Sequence, residues 1–173
     1  MKNFKNNHTL TTKLDAQGFT LVELLIYMGL LTIFVYILSS MLISILDVKT
    51  ESEAISAVEQ DGRFLMERFA YDISRASSIS TPASPGSSGS GLELVIGGVT
   101  YTYSLNGSNL ELTNNNGTDN LNSSEVVVSS VTFQRLGNPG GKNSIKIEIS
   151  LASLAERDGG PETKIFNITA GGR

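Results

Sequence analysis

The chain has 173 residues, a net charge of −4, no cysteine and one histidine, His8. These counts exclude a disulfide framework, a thiolate metal site and a cysteine nucleophile. Beyond residue 18 the net charge is −6 with no histidine, which excludes a Ser-His-Asp triad or a His-ligated zinc there and argues against a basic nucleic-acid-binding surface.

Residues 1–18 are polar and basic, with Lys2, Lys5 and Lys13 against Asp15. Residues 19–46 are apolar, and Leu24 to Leu46 contain neither a charge nor a proline. Roughly 20 such residues cross a bilayer, so the stretch predicts a membrane helix. It is too long for the apolar region of a secretory signal, and no small-x-small cleavage site follows it. The lysines precede it and Asp47 follows it, which predicts a cytoplasmic N-terminus and an exported C-terminal part. Gly29, Ser39, Ser40 and Ser44 are small residues suited equally to close helix packing and to ordinary membrane-helix composition. Glu23 stands out, because a carboxylate near the centre of a membrane helix costs about 3 kcal/mol. It belongs either at the solvated interface or beside a partner.

The segment Gly18-Phe19-Thr20-Leu21-Val22-Glu23-Leu24-Leu25 resembles the processing motif of type IV prepilins: a basic leader ending in Gly, then Phe, with Glu four residues on, opening a long apolar helix. The resemblance implies cleavage by a prepilin peptidase between Gly18 and Phe19 and N-methylation of the new Phe19 amine. It also implies pairing of Glu23 with the Phe19 amine of a neighbouring subunit. A buried acid beside a buried ammonium costs far less than either alone, and such a pair fixes register. Glycine before the cut leaves a peptidase unobstructed access to the backbone. Major pilins often carry a proline midway along this helix; here there is none.

Residues 47–79 predict an amphipathic continuation of the helix. Val48, Ile55, Val58, Leu65, Phe69, Ile73 and Ala76 recur at helical spacing. Phe64 and Tyr71 fall off that stripe, as core edge or as subunit contact. Residues 80–91, rich in Pro, Gly and Ser, predict a loop.

Residues 92–173 predict an antiparallel sheet. Leu92–Ile96 and Val99–Leu105 flank the hairpin signal Gly97-Gly98. Asn106-Gly107 turns the chain into Leu110–Thr113, a three-stranded meander with Tyr101 and Tyr103 on one face. Residues 114–124 predict a polar loop. Glu125–Leu136 and Ser144–Leu151 predict a strand pair joined through Gly137 to Asn143, and Lys164–Ala170 a last strand. The fold class is therefore α+β: a long N-terminal helix on a small antiparallel sheet. Ser123–Leu136 and Asn143–Ala152 are similar to segments of J-type pseudopilins of type II secretion and of W-type minor pilins, which implies a minor subunit.

Further chemistry is sparse. The carboxylates of Asp119 with Glu125, and of Asp158 with Glu162, read as solvated loop residues, with calcium as the alternative. Four segments, starting at Asn106, Asn116, Asn122 and Asn167, match the N-glycosylation pattern, and turn chemistry accounts for the first three. No nucleotide-binding motif occurs. The expectation is a structural filament subunit in the cytoplasmic membrane, then in a filament. It would be an enzyme's substrate rather than an enzyme, use no cofactor, and have the peptidase, other pilin or pseudopilin subunits and the membrane as partners. Two alternatives are a filament-tip module that contacts DNA, a surface or a secreted protein, and an exported domain anchored to the membrane that does not assemble.

Overall fold

The computed structural model describes residues 18–137, 144–155 and 159–171. The element order is α1 (Leu21–Arg75), then β1 (Ser78–Thr81), β2 (Ser88–Gly89), β3 (Leu92–Ile96), β4 (Val99–Asn106), β5 (Asn109–Asn114), β6 (Gly117–Asn120), β7 (Val126–Leu136), β8 (Ser144–Ser153) and β9 (Thr163–Gly171). The fold is α+β, and every strand pairing is antiparallel. The chain forms two compact units that meet within α1, one ending at Ser44 and one beginning at Ile45.

In the first unit the structure consists of the opening of α1. Thr20 caps it: the Glu23 amide donates to Thr20 Oγ1 at 3.2 Å, and the Leu24 amide to the Thr20 carbonyl at 3.1 Å. A threonine here supplies an acceptor that the first turn lacks. Thr32 and Ser40 fold their hydroxyls back onto the carbonyls four residues earlier, at 2.8 and 3.0 Å. This satisfies polar groups within a helix whose large apolar side chains stay exposed all round. Among the described residues α1 is the one helix long and apolar enough to cross a membrane.

In the second unit one face of α1 enters a core shared by two sheets. Sheet order is β1-β3-β4-β5-β6 in one and β2-β7-β8-β9 in the other. Ala54, Val58, Leu65, Phe69 and Ile73 are buried at helical spacing. Phe69 joins the layers: its ring lies 5.1 Å from that of Tyr103 on β4 and 5.4 Å, edge-on, from that of Phe133 on β7. Strict alternation in β3 and β8 sends Leu92, Leu94, Ile96 and Ile145, Ile147, Ile149 inward. In β7 the inward set runs Val126, Val128, Val131, Phe133. The parity changes because the register with β8 shifts between Val128 and Ser130, the mark of a β-bulge.

Several boundaries differ from the sequence expectation. The helix stops at Arg75, because the Ser77 amide and hydroxyl bind the Val95 carbonyl at 2.8 and 2.9 Å. That pairing starts β1 and buries Ile79. The span 80–91 is less a loop than a strap. Arg135 Nη1 donates to the carbonyls of Ile79, Pro82 and Ala83 at 2.8–3.1 Å, and β2 pairs with β7. Gly97 and Gly98 both take positive φ, as the two-residue hairpin requires.

The meander gains a fourth strand, because β6 folds back on β5 within the span read as polar loop. Asn122, in the same span, is buried rather than solvated. Its Oδ1 accepts the Leu110 amide at 2.9 Å, and its Nδ2 donates to the Val126 carbonyl at 2.7 Å, fastening one sheet to the other. The link through Gly137 to Asn143 lies outside the described residues beyond Gly137.

Candidate functional site

The residues singled out by sequence fall together at the start of α1. Gly18 is exposed, and a Cβ built on it meets nothing within 4 Å. Among the described residues nothing therefore asks for glycine at this position. Phe19 is 73 % exposed, and its ring meets that of Tyr27 edge-on at 6.0 Å. Phe19, Leu24, Tyr27, Met28 and Leu31 line an open apolar hollow of about 230 Å³.

Glu23 occupies the first turn, where a carboxylate is favoured by the helix dipole. Its Oε1 accepts the Tyr27 hydroxyl, one turn on, at 3.0 Å. Two contributors escaped the sequence reading, Thr20 as cap and Tyr27 as hydroxyl donor. Their signals were present: Thr20-x-x-Glu23 has the spacing of a capping box, and Glu23 to Tyr27 is an i,i+4 pair.

This geometry holds a carboxylate on the first turn of α1, four residues beyond the exposed Phe19. Among the described residues its carboxylate has one donor, the Tyr27 hydroxyl. A carboxylate accepts several hydrogen bonds, so capacity remains for a cation.

Among the described residues the other sequence candidates do not converge. Asp119 lies on exposed β6, Glu125 is exposed before β7, and Asp158 is outside the described residues. Among the described residues no group of three or more His, Cys, Asp or Glu is placed to hold a metal. Every buried side-chain polar atom of the described residues has a hydrogen-bond partner.

The chain is thus an α+β protein with one helix that meets the length and composition of a membrane span. Comparison with family models, curated proteins and solved structures finds no match.

Proposed function

We propose that the chain is a minor subunit of a filament of the type IV pilus or type II secretion pseudopilus kind. In this reading it is made as a precursor, held in the cytoplasmic membrane by α1 with its N-terminus inside, and cut by a prepilin peptidase between Gly18 and Phe19. It performs no reaction of its own. The observation that carries the reading is the Gly18-Phe19 junction opening a membrane-length helix, with Glu23 on its first turn.

The mechanism follows from charge and register. Cleavage turns the Phe19 nitrogen into a cationic amine at the membrane edge, and methylation leaves it cationic. In the lone chain Glu23 is supported by the Tyr27 hydroxyl. On assembly the carboxylate takes the Phe19 amine of a neighbouring subunit. In a low-dielectric filament core that pair is favourable where either charge alone is strongly disfavoured. A pair placed one turn from the helix start admits one axial offset between neighbours and rejects others by leaving a charge unpaired. The exposed apolar surface of α1 supplies attraction without register; Glu23 supplies the register.

The test is the N-terminal residue and intact mass of the chain from its native membrane, together with Glu23→Ala. The expected N-terminus is Phe19 with one added methyl. Glu23→Ala should insert into the membrane as the parent does and be depleted from sheared filaments. A Met1 start in cells with active prepilin peptidase, or undiminished incorporation of Glu23→Ala, would refute the proposal.

A further inference from the structure

Among the described residues four strands of the second unit lie at sheet margins: β1 and β6 in one sheet, β2 and β9 in the other. A margin strand presents backbone amides and carbonyls that have no neighbouring strand, and folds blunt such edges by shortness, bulges, proline or charge. Three of the four are blunted. β1 is four residues long, its register shifts between Ile79 and Thr81, and Pro82 follows it. β2 has two residues. β6 has four, Gly117 and Asp119 among them.

β9 differs. Its nine residues pair with β8 from Thr163 to Gly171 without a register shift, and they include no proline and no acid. Its one charge, Lys164, bonds Glu59 on α1 and lies 5.5 Å from the centre of the Phe166 ring, on the side turned to the helix. The free side is built from alternate residues. The Ser153 amide donates to the Glu162 carbonyl at 2.8 Å, and hydrogen-bonded pairs in an antiparallel ladder recur at every second residue. Lys164, Phe166, Ile168 and Ala170 therefore bond β8, while Ile165, Asn167 and Thr169 turn their amides and carbonyls outward. The side chains of those three are exposed, Ile165 by 60 %. Opposite them on β8 stand Ser150, Glu148 and Lys146, whose charges cancel.

We infer that β9 is the docking edge for an extended segment of a different polypeptide, which adds to the sheet as a further strand. A row of alternating donors and acceptors at strand spacing is satisfied in full only by another extended backbone. The side chains describe that segment as uncharged, with an apolar residue set against Ile165. A second copy fits less well. Antiparallel β9 strands overlapping along their whole length, centred on Asn167, set Ile165 against Thr169. Centring on Ile165, so that the two isoleucines meet, shortens the overlap to Thr163–Asn167.

In strand addition the backbone bonds supply affinity and the alternate side chains the choice of partner. The inference goes beyond the filament reading and does not rest on it, because the edge belongs to the second unit alone. Proline distinguishes the two sides of β9. At position 167 it removes an amide that points outward; at 168 it removes one that bonds β8.

The probe is a synthetic peptide matched to β9 in length, alternating valine and threonine, added to the full chain in mild detergent. With peptide at about ten times its Kd, hydrogen exchange at the Ile165, Asn167 and Thr169 amides should slow about tenfold, while the β6 amides stay unchanged. A peptide N-methylated at alternate residues keeps one bonding edge and should still act; one N-methylated at every residue keeps none and should not. Asn167→Pro should abolish the protection, and Ile165→Lys, at an exposed position, should weaken it without lowering Tm. No protection at the three amides, equal action of the fully methylated peptide, or unchanged binding by Ile165→Lys would overturn the inference. In the native membrane, a photo-cross-linking side chain at position 165 should join an extended segment of another protein, and Asn167→Pro should remove that product. Cross-linking only to a second copy would overturn the assignment of the occupant.

Discussion

Tyr103 gives the sharpest test of how the second unit is held together. Its side chain is fully buried, and its hydroxyl donates to Asp72 Oδ2 on α1. The same oxygen accepts Arg68 Nε at 2.7 Å. Tyr103→Phe keeps the ring against Phe69 and removes the hydroxyl, leaving a nearly inaccessible carboxylate with one partner fewer. Hydrogen bonds to charged groups contribute about 1.5–3 kcal/mol, so the variant should lose about 2 kcal/mol. At roughly 2–4 °C per kcal/mol for a chain of this size, Tm should fall by about 4–8 °C.

The pH dependence carries an independent signature. Burial first, and then the hydrogen bond to Asp72, push the Tyr103 phenol well above its ordinary range. The group is neutral in both folded and unfolded chains below about pH 10, and its contribution is fully present there. Above that pH the unfolded chain loses the proton while the folded one keeps it. Stability then falls, by up to about 1.4 kcal/mol per pH unit, until the folded group also ionises. Urea unfolding of the full chain in mild detergent, followed by hydrogen exchange at the amides of β3–β5, reads both effects. Agreement of Tyr103→Phe with the parent within about 0.5 kcal/mol, or parallel alkaline losses in the two proteins, would refute this reasoning.

Two further substitutions probe the seam between α1 and β9. Gly62 is buried under the ring of Phe166, and a methyl at Gly62 would overlap that ring. Gly62→Ala should therefore destabilise by about 1–3 kcal/mol, although alanine gains about 1 kcal/mol of helix propensity. Unfolding of the Gly62→Ala, Phe166→Ala double variant should show the loss largely relieved relative to Phe166→Ala alone.

Glu59 pairs with Lys164 on β9, and that hydrogen bond chiefly holds its carboxyl below the usual carboxylate range. A depressed folded pKa means that the contribution is present above the unfolded value and is lost as pH falls through the folded one. Acid unfolding of Glu59→Gln should accordingly show a weaker pH dependence below about pH 4.5 than the parent; identical acid curves would count against the pair.

The sequence made the long helix and most of the sheet legible because both obey a period. The run from Leu24 to Leu46 is uniform in character, and Ile145, Ile147 and Ile149 alternate without exception. What it hid depends on partners far along the chain. The helix end at Arg75 is set by a carbonyl at Val95, and the strap over 80–91 by the guanidinium of Arg135. The buried place of Asn122 is set by Leu110 and Val126. In each case a polar residue typical of loops is recruited to satisfy backbone groups elsewhere, and local composition carries no trace of that. Val48 and Ile55 fail in the opposite sense. They fit the helical stripe, yet they are 64 % and 40 % exposed, because periodicity shows which face is apolar and not how far the sheets extend along it.

The same contrast bears on function. Residues that serve the fold reveal themselves by what they satisfy within the chain: Asp72 holds Tyr103 and Arg68, and Asp61 accepts the Ser123 amide at 2.8 Å. Among the described residues Gly18 and Phe19 satisfy nothing comparable. One has open space where a side chain would stand, and the other is largely exposed. Glu23 meets a single hydroxyl in its own helix. A glycine with no steric reason, an aromatic with little cover and a carboxylate with spare capacity lie within six consecutive residues. In the proposed reading, one molecule reaches the backbone at Gly18 and another brings a cation to Glu23.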